Sequence, residues 1–171
     1  MIILGIDPGT ERSGLVWLDG DHVAESGVWD NDYVLEILAH GSGYDGIETE
    51  PGVLAVEQVE SFGMPVGRDV FETVWWSGRF AQAWWIATGE EALRIPRKEV
   101  KLHLCGSLRA KDANVRRALL DLPRWKRGKG SEPAAGTKRS PGGLYGISGH
   151  SWAALAVAVA AEARLEALAD A

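Results

Sequence analysis

Apolar runs and turn residues alternate along this chain in a way that lays out most of its elements. Met1 to Ile6 is a short apolar run closed by Asp7-Pro8-Gly9, which predicts a strand ending in a tight turn. Ser13 to Leu18 is again strand-like, Asp19-Gly20 is a hairpin turn sequence, and His22 to Trp29 can pair as a third strand. The first thirty residues therefore read as an antiparallel meander. From Asp30 to His40 the apolar residues Tyr33, Val34, Ile37 and Leu38 fall at helical spacing, with Asp30 as the expected N-cap. Residues 41–52 form a glycine-rich loop, and Val53 to Val59 is β-branched and apolar enough for a buried strand. Val70 to Ala87 carries one stripe of Phe71, Val74, Trp75, Gly78, Ala81, Gln82 and Trp85 and a second of Trp76, Phe80 and Trp84. That helix is apolar over most of its circumference, so burial on more than one side is expected. Ala92 to Ile95 reads as a short strand, Arg97 to Cys105 and Ala113 to Leu120 as helices, and Ser148 as the cap of a last helix reaching about Ala169. Strands first, then strand and helix in alternation, predict an α/β layered domain on a mixed sheet.

Composition changes the picture only modestly. The 171 residues, 46% hydrophobic and 25% charged, suit one soluble domain with a real core and exclude a disordered or collagen-like chain. The one cysteine, Cys105, excludes an internal disulfide. The opening MIILGID has no basic run of a signal peptide, and the apolar stretch from Trp152 to Ala161 is about half of a membrane span. A cytoplasmic protein with no membrane partner is expected.

Charge changes it more. The net charge of −6 argues against a nucleic-acid partner, but its distribution argues for one. Between Arg94 and Arg139 lie 14 Lys and Arg against 4 Asp and Glu, so this segment carries +10 and the remainder −16. A basic segment on an acidic body points to an anionic partner, with phosphate backbone the first candidate, although charge blocks are also simply solvated faces. Within it, residues 124–145 hold little apolar content, and a basic, mobile loop is expected at about 123–146. Trp125 sits inside this basic loop, either to stack on an unpaired base or to anchor the loop.

Four polar features are candidates for chemistry. Asp7 ends a hydrophobic strand and opens onto a glycine turn, which suits a metal ligand and equally a turn cap. Glu57 lies in the middle of an apolar strand, where an ionised group is costly unless paired or metal-bound. If it shares a sheet face with Asp7, the two make half of a hard-cation site; Glu60 is a nearby second partner or an exposed residue. His150 is placed in the first turn of the last helix, where a lone histidine is often structural. Asp112, beside Lys111, reads first as a local ion pair or helix cap.

In combination these residues resemble a family. Ile3-Leu4-Gly5-Ile6-Asp7-Pro8-Gly9-Thr10 with Ser13-Gly14 looks like the first strand of the RuvC-type Holliday junction resolvases. Val56-Glu57-Gln58-Val59 is similar to that family's second acidic strand, and Ala154-Leu155-Ala156-Val157-Ala158 after His150 to its last helix. Lys101-Leu102-His103-Leu104-Cys105-Gly106, Lys111-Asp112-Ala113-Asn114-Val115-Arg116 and Leu144-Tyr145-Gly146 resemble a phage-encoded branch. The resemblance implies a ribonuclease H-like fold, a mixed five-stranded sheet flanked by helices, in one domain over residues 1–171. It implies metal-dependent nicking of branched DNA, with Asp7, Glu57 and His150 as catalytic residues and metal ligands and a homodimer as the working form. It departs at Ala153, where the family has an acid three residues after the His150 position; Glu60 or Asp112 could compensate, or the chain is a catalytically weak binding module.

Elementary chemistry agrees with that implication. Two Mg²⁺ or Mn²⁺ ions about 3.5–4 Å apart activate a water and stabilise the leaving oxygen. An acidic pocket repels DNA, so basic residues must hold the backbone: Lys98, Lys101, Arg109, Lys111, Arg116, Arg124, Lys126, Arg127, Lys129, Lys138 and Arg139 are the candidates. The partner is branched DNA, four-way junctions or more broadly forks and flaps. The tryptophans of the helix over 70–87 are a candidate dimer surface, or alternatively core. Actin-like and sugar-kinase ATPases share an Asp-x-Gly-Thr turn, but they close two related domains on a nucleotide, and 171 residues hold one.

Overall fold

The computed structural model describes residues 1–40, 51–60, 63, 65–125 and 134–171. Strands β1 (Ile2–Asp7), β2 (Arg12–Asp19) and β3 (His22–Asp30) form the antiparallel meander. Helix α1 (Asn31–His40) follows, then β4 (Val53–Gln58), α2 (Arg68–Thr88), β5 (Leu93–Pro96), α3 (Arg97–Cys105), α4 (Asp112–Asp121) and α5 (Ser151–Ala169). The sheet order is β3-β2-β1-β4-β5, with β4 and β5 parallel to β1, so the sheet is mixed and five-stranded as expected.

Strand alternation divides the core into two layers. Leu4 and Ile6 of β1, Leu15 and Trp17 of β2, and Leu54 and Val56 of β4 face α1 and α2, where Val34, Ile37, Leu38, Phe80 and Trp84 cover them. Ile3, Val16, Leu18, Ala55 and Ile95 face α3, α4 and α5. Helix α5 is buried from Ser151 to Ala161 except at Ala153 and crosses the central strands, which explains why its first three turns carry no charge.

Asp30, expected before α1, does stand immediately in front of it at the N-cap position, where it also ends β3 and pairs with Arg12 at 3.2 Å. Several other local expectations are corrected. Ser148 does not cap α5; His150 is the N-cap residue, one position before the helix. Helix α2 is not buried on several sides. Only Phe80 and Trp84 are fully covered, while Phe71, Val74, Trp75, Trp85 and Ile86 are exposed. Trp84 therefore belongs to the core, and Trp76 lies half-buried against Phe80. Trp125 is buried beneath residues 143–144, which excludes base stacking in this conformation and makes it an anchor. Most of the basic loop's tip, with Lys126, Arg127 and Lys129, lies outside the described residues.

Candidate active site

The register of β1 on β4 brings the two acids together. Gly5 lies opposite Ala55 and Ile6 opposite Val56, so the next inward position pairs Asp7 with Glu57 on the α5 face. The two carboxyl groups thus lie side by side at the strand ends, close enough for each to act on the ionisation of the other. Burial pushes both up from their ordinary values, Glu57 to about 7. For Glu57 the nearby Asp7 adds to that shift, and the Arg97 guanidinium only partly offsets it. For Asp7, His150 pulls in the opposite direction through a hydrogen bond and its charge.

His150 reaches this pair because the backbone in front of it is bare. A Cβ on Gly14 would sit 2.4 Å from the His150 carbonyl carbon and oxygen, and one on Gly5 would sit 2.4 Å from the Ala154 carbonyl. Two glycines on adjacent strands thus let the start of α5 lie directly on the sheet. His150 Nδ1 then stands 2.9 Å from Asp7 Oδ2. With Nδ1–H donating to the carboxylate, Nε2 keeps its lone pair for a cation or a proton. Ser151 helps to seat the helix by donating from Oγ to the Gly27 carbonyl at 2.8 Å.

The turn after Asp7 is pinned from beneath. Buried Ser13 Oγ donates to Asn31 Oδ1 at 2.6 Å, Asn31 Nδ2 donates to the Gly9 carbonyl at 3.0 Å, and the Gly9 N–H donates to Ser13 Oγ at 3.2 Å. These bonds close a small polar ring that fixes the Pro8-Gly9 turn, and hence the end of β1. Asn31 has no sequence signal of this role, since its partners lie 18 and 22 residues away.

Arg97 is the residue that sequence reasoning missed. It follows Pro96 at the end of β5, next to Glu57 on β4. Its Nη1 donates to both Glu57 oxygens, at 2.8 and 3.1 Å, and its Nη2 donates to Asp112 Oδ1. Burial works against the charge, but the two carboxylates hold the guanidinium above its ordinary value. Asp112 is therefore no local partner of Lys111: it begins α4 and is tied to the acidic pair through Arg97. The Lys111 N–H is satisfied instead by Asn114 Oδ1 at 2.8 Å.

These groups line one pocket of about 420 Å³, with Asp7, Glu57, Arg97, Asp112 and His150 on its polar side and Lys101 and Arg116 among the other lining residues. Ala153 lines the same pocket and supplies no donor atom. Glu60 is not part of it, because its Oε1 accepts from Lys98 Nζ at 2.9 Å. Among the described residues, no three His, Cys, Asp or Glu side chains gather on one point as a metal cage. The contacts explain this: His150 engages Asp7, while Glu57 is drawn to Arg97. The donor chemistry still suits a hard cation, since two buried carboxyls and an imidazole converge pairwise.

The basic candidates divide into spent and unspent charges. Lys98 is paired with Glu60, and Arg124 with Glu162. Lys101 and Arg116 line the pocket, where the Arg116 guanidinium lies 4.7 Å from the Trp152 ring centroid. Arg109 and Lys111 are exposed between α3 and α4, and Lys138 and Arg139 in the turn closed by the Gly136–Pro141 bridge. No helix among the described residues is long and apolar enough to cross a membrane.

No family model and no curated protein matches this sequence. Solved structures do. The chain is similar to Thermus thermophilus RuvC, with 21% identity over 97% of each chain and a TM-score of 0.59. It is equally similar to T. thermophilus RuvC in complex with a Holliday junction substrate, with 20% identity, 97% of this chain, 96% of that one and a TM-score of 0.60. The likeness runs over nearly the whole chain and is one of architecture, so the resemblance read from the sequence holds at that level: this chain has the RuvC-type, ribonuclease H-like fold.

Proposed function

We propose that this chain is a divalent-metal-dependent endonuclease that nicks branched DNA and resolves four-way junctions by phosphodiester hydrolysis. The observation that carries this reading is the convergence of Asp7, Glu57 and His150 on one pocket lined also by Lys101 and Arg116. The similarity of the fold to a RuvC solved with a Holliday junction supports the choice of substrate.

Asp7, Glu57 and His150 would hold Mg²⁺ or Mn²⁺, which lowers the pKa of a bound water and offsets charge on the phosphate. Asp7 also orients the His150 ring and fixes its tautomer. Lys101 and Arg116 hold the DNA backbone against an otherwise acidic floor, with Arg109, Lys111, Lys138 and Arg139 extending that contact. Hydrolysis adds water across one P–O bond: its oxygen bonds to phosphorus, and the departing sugar oxygen takes up a proton. In the reading's full form two copies act on the two-fold junction. Phe71, Trp75, Trp85 and Ile86, exposed on α2, are the surface that supports such a dimer in the cytoplasm.

A labelled four-way junction with Mn²⁺, beside linear duplex and the Asp7→Asn variant, tests the proposal. Paired nicks in the junction that vanish in the variant are expected. A second reading, a junction-binding module without cleavage, is favoured by Ala153, which leaves the pocket short of one acid. It predicts tight binding and no cut in the same experiment. Cutting of forks and flaps as fast as junctions would broaden the substrate class.

A further inference from the structure

The pocket has a donor set for one cation and a resident cation beside it. Asp7 contacts His150 at 2.9 Å and stands beside Glu57 on the neighbouring strand, but the residue one helical turn beyond His150 is Ala153. On the other side of Glu57 stands Arg97, which donates to both Glu57 oxygens with one nitrogen and to Asp112 with the other. A guanidinium in this position fills the gap between Glu57 and Asp112 that a second metal ion would have to bridge, and leaves the Asp7 side of Glu57 for the first. It is planar, permanently charged and tethered to the start of α3, so it stays in place without being recruited from solution.

Charge balance points the same way. Ionised Asp7, Glu57 and Asp112 carry three negative charges, which Arg97, Lys101 and Arg116 already balance among the lining residues. Each divalent ion therefore adds positive charge, and position 153 brings no acid to hold a second one. Arg97 also lines the pocket, and its side chain is 38% exposed, so an anion in the pocket can reach it.

We propose that this chain works with one divalent ion, held by Asp7, Glu57 and His150, and that the Arg97 guanidinium takes the place of a second cation between Glu57 and Asp112. The inference rests on the nuclease reading and specifies its chemistry. As the water oxygen bonds to phosphorus and the P–O bond to the departing sugar oxygen breaks, Arg97 donates to a non-bridging phosphate oxygen on which charge builds. Fork-shaped donation to phosphate is what a guanidinium does better than an ammonium.

Mn²⁺ stoichiometry on the whole chain, by calorimetry and by the electron paramagnetic resonance of free Mn²⁺, tests this independently of cleavage. Wild type and Arg97→Lys are expected to bind one ion per chain. Arg97→Gln, checked for folding by circular dichroism, is expected to bind two, the second more weakly, on the freed Glu57 and Asp112. Junction cleavage by Arg97→Gln should fall about 100-fold at Mn²⁺ levels that fill only the first site. It should recover as the second site fills, so that the Mn²⁺ dependence steepens. Two ions in wild type, or one in both wild type and Arg97→Gln, would overturn the proposal while leaving the nuclease reading intact. A wild type that binds the junction but no Mn²⁺ would overturn both together.

Discussion

The two faces of the central sheet are built to opposite specifications, although they share the same strands. On the α1/α2 side, β1 shows Leu4 and Ile6, and the partners are large: Trp17, Phe80 and Trp84 are all buried there. On the α5 side the same strand buries Ile3 near its start, but at Gly5 and Asp7 the partners are alanines and a helix start that lies within van der Waals reach of the backbone. One face gains stability from bulk. The other gives up bulk so that the end of a helix and the ends of two strands can converge on a few polar atoms. Buried carboxyls cost stability there, and the aromatic layer opposite is where such a cost can be offset.

The sharpest way to break the comparison is to remove one group from each face. Asp7→Asn keeps the shape of the pocket but loses the charge, and junction cleavage should fall by roughly three orders of magnitude, about 4 kcal/mol of transition-state stabilisation. Melting temperature should hold or rise in the variant. Phe80→Ala on the opposite face should do the reverse. Stability should drop by about 3–5 kcal/mol, read from urea unfolding, while cleavage per folded molecule stays near wild type. If Phe80→Ala abolished cleavage in a folded sample, the two faces would not be separable.

Next in size is Gly14→Ala. The added methyl would lie 2.4 Å from the His150 backbone, so the start of α5 must shift. A displacement approaching 1 Å is worth about 100-fold in rate. Cleavage should fall by that order and junction affinity much less. Unchanged kinetics would mean that His150 takes no part in the chemistry.

How much of this difference was legible in sequence depended on distance along the chain. The strands and the helices follow from local periodicity, which survives in a single sequence, whereas the face shared by Asp7 and Glu57 is set by the β1–β4 register and stayed conditional. Asp7 and Glu57 stood out because each is an acid in an apolar run. Arg97 did not stand out, because it is one of 14 basic residues in its segment and its partners lie 40 and 15 positions away. Asn31 and the covering of α2 failed to show for the same reason. The apolar circumference of α2 predicted burial on several sides, yet a helix lying on one sheet face covers one stripe only, which leaves Trp75 and Trp85 exposed.

A smaller effect is set by pH. Glu57 titrates near 7 in the fold against an ordinary 4.5, and Asp7 is displaced in the same direction. Between those values the folded state holds a proton that the unfolded chain has lost. Its contribution to stability is therefore complete below about 4.5 and lost as the pH rises through about 7. In the presence of a chelator the melting temperature should be lower at pH 8 than at pH 5.5, by about 5 °C. Glu57→Gln should flatten that dependence. Mn²⁺ should narrow the gap at pH 8, since a cation relieves the ionised pair.

The smallest expected effect separates two lysines three residues apart on α3. Lys98 donates to Glu60 and brings no net charge to the surface, while Lys101 lines the pocket among the polar groups. If phosphate contact needs an unspent charge, Lys101→Ala should weaken junction binding and lower the slope of log affinity against log salt by about 1. Lys98→Ala should leave that slope unchanged, because the variant removes a charge already balanced and frees a carboxylate that can only repel DNA. Equal slopes for the two variants would mean that the backbone passes along the whole of α3 and pulls Lys98 away from Glu60. The acidic floor would then be shielded by the helix as a unit rather than by the few cations that line the pocket.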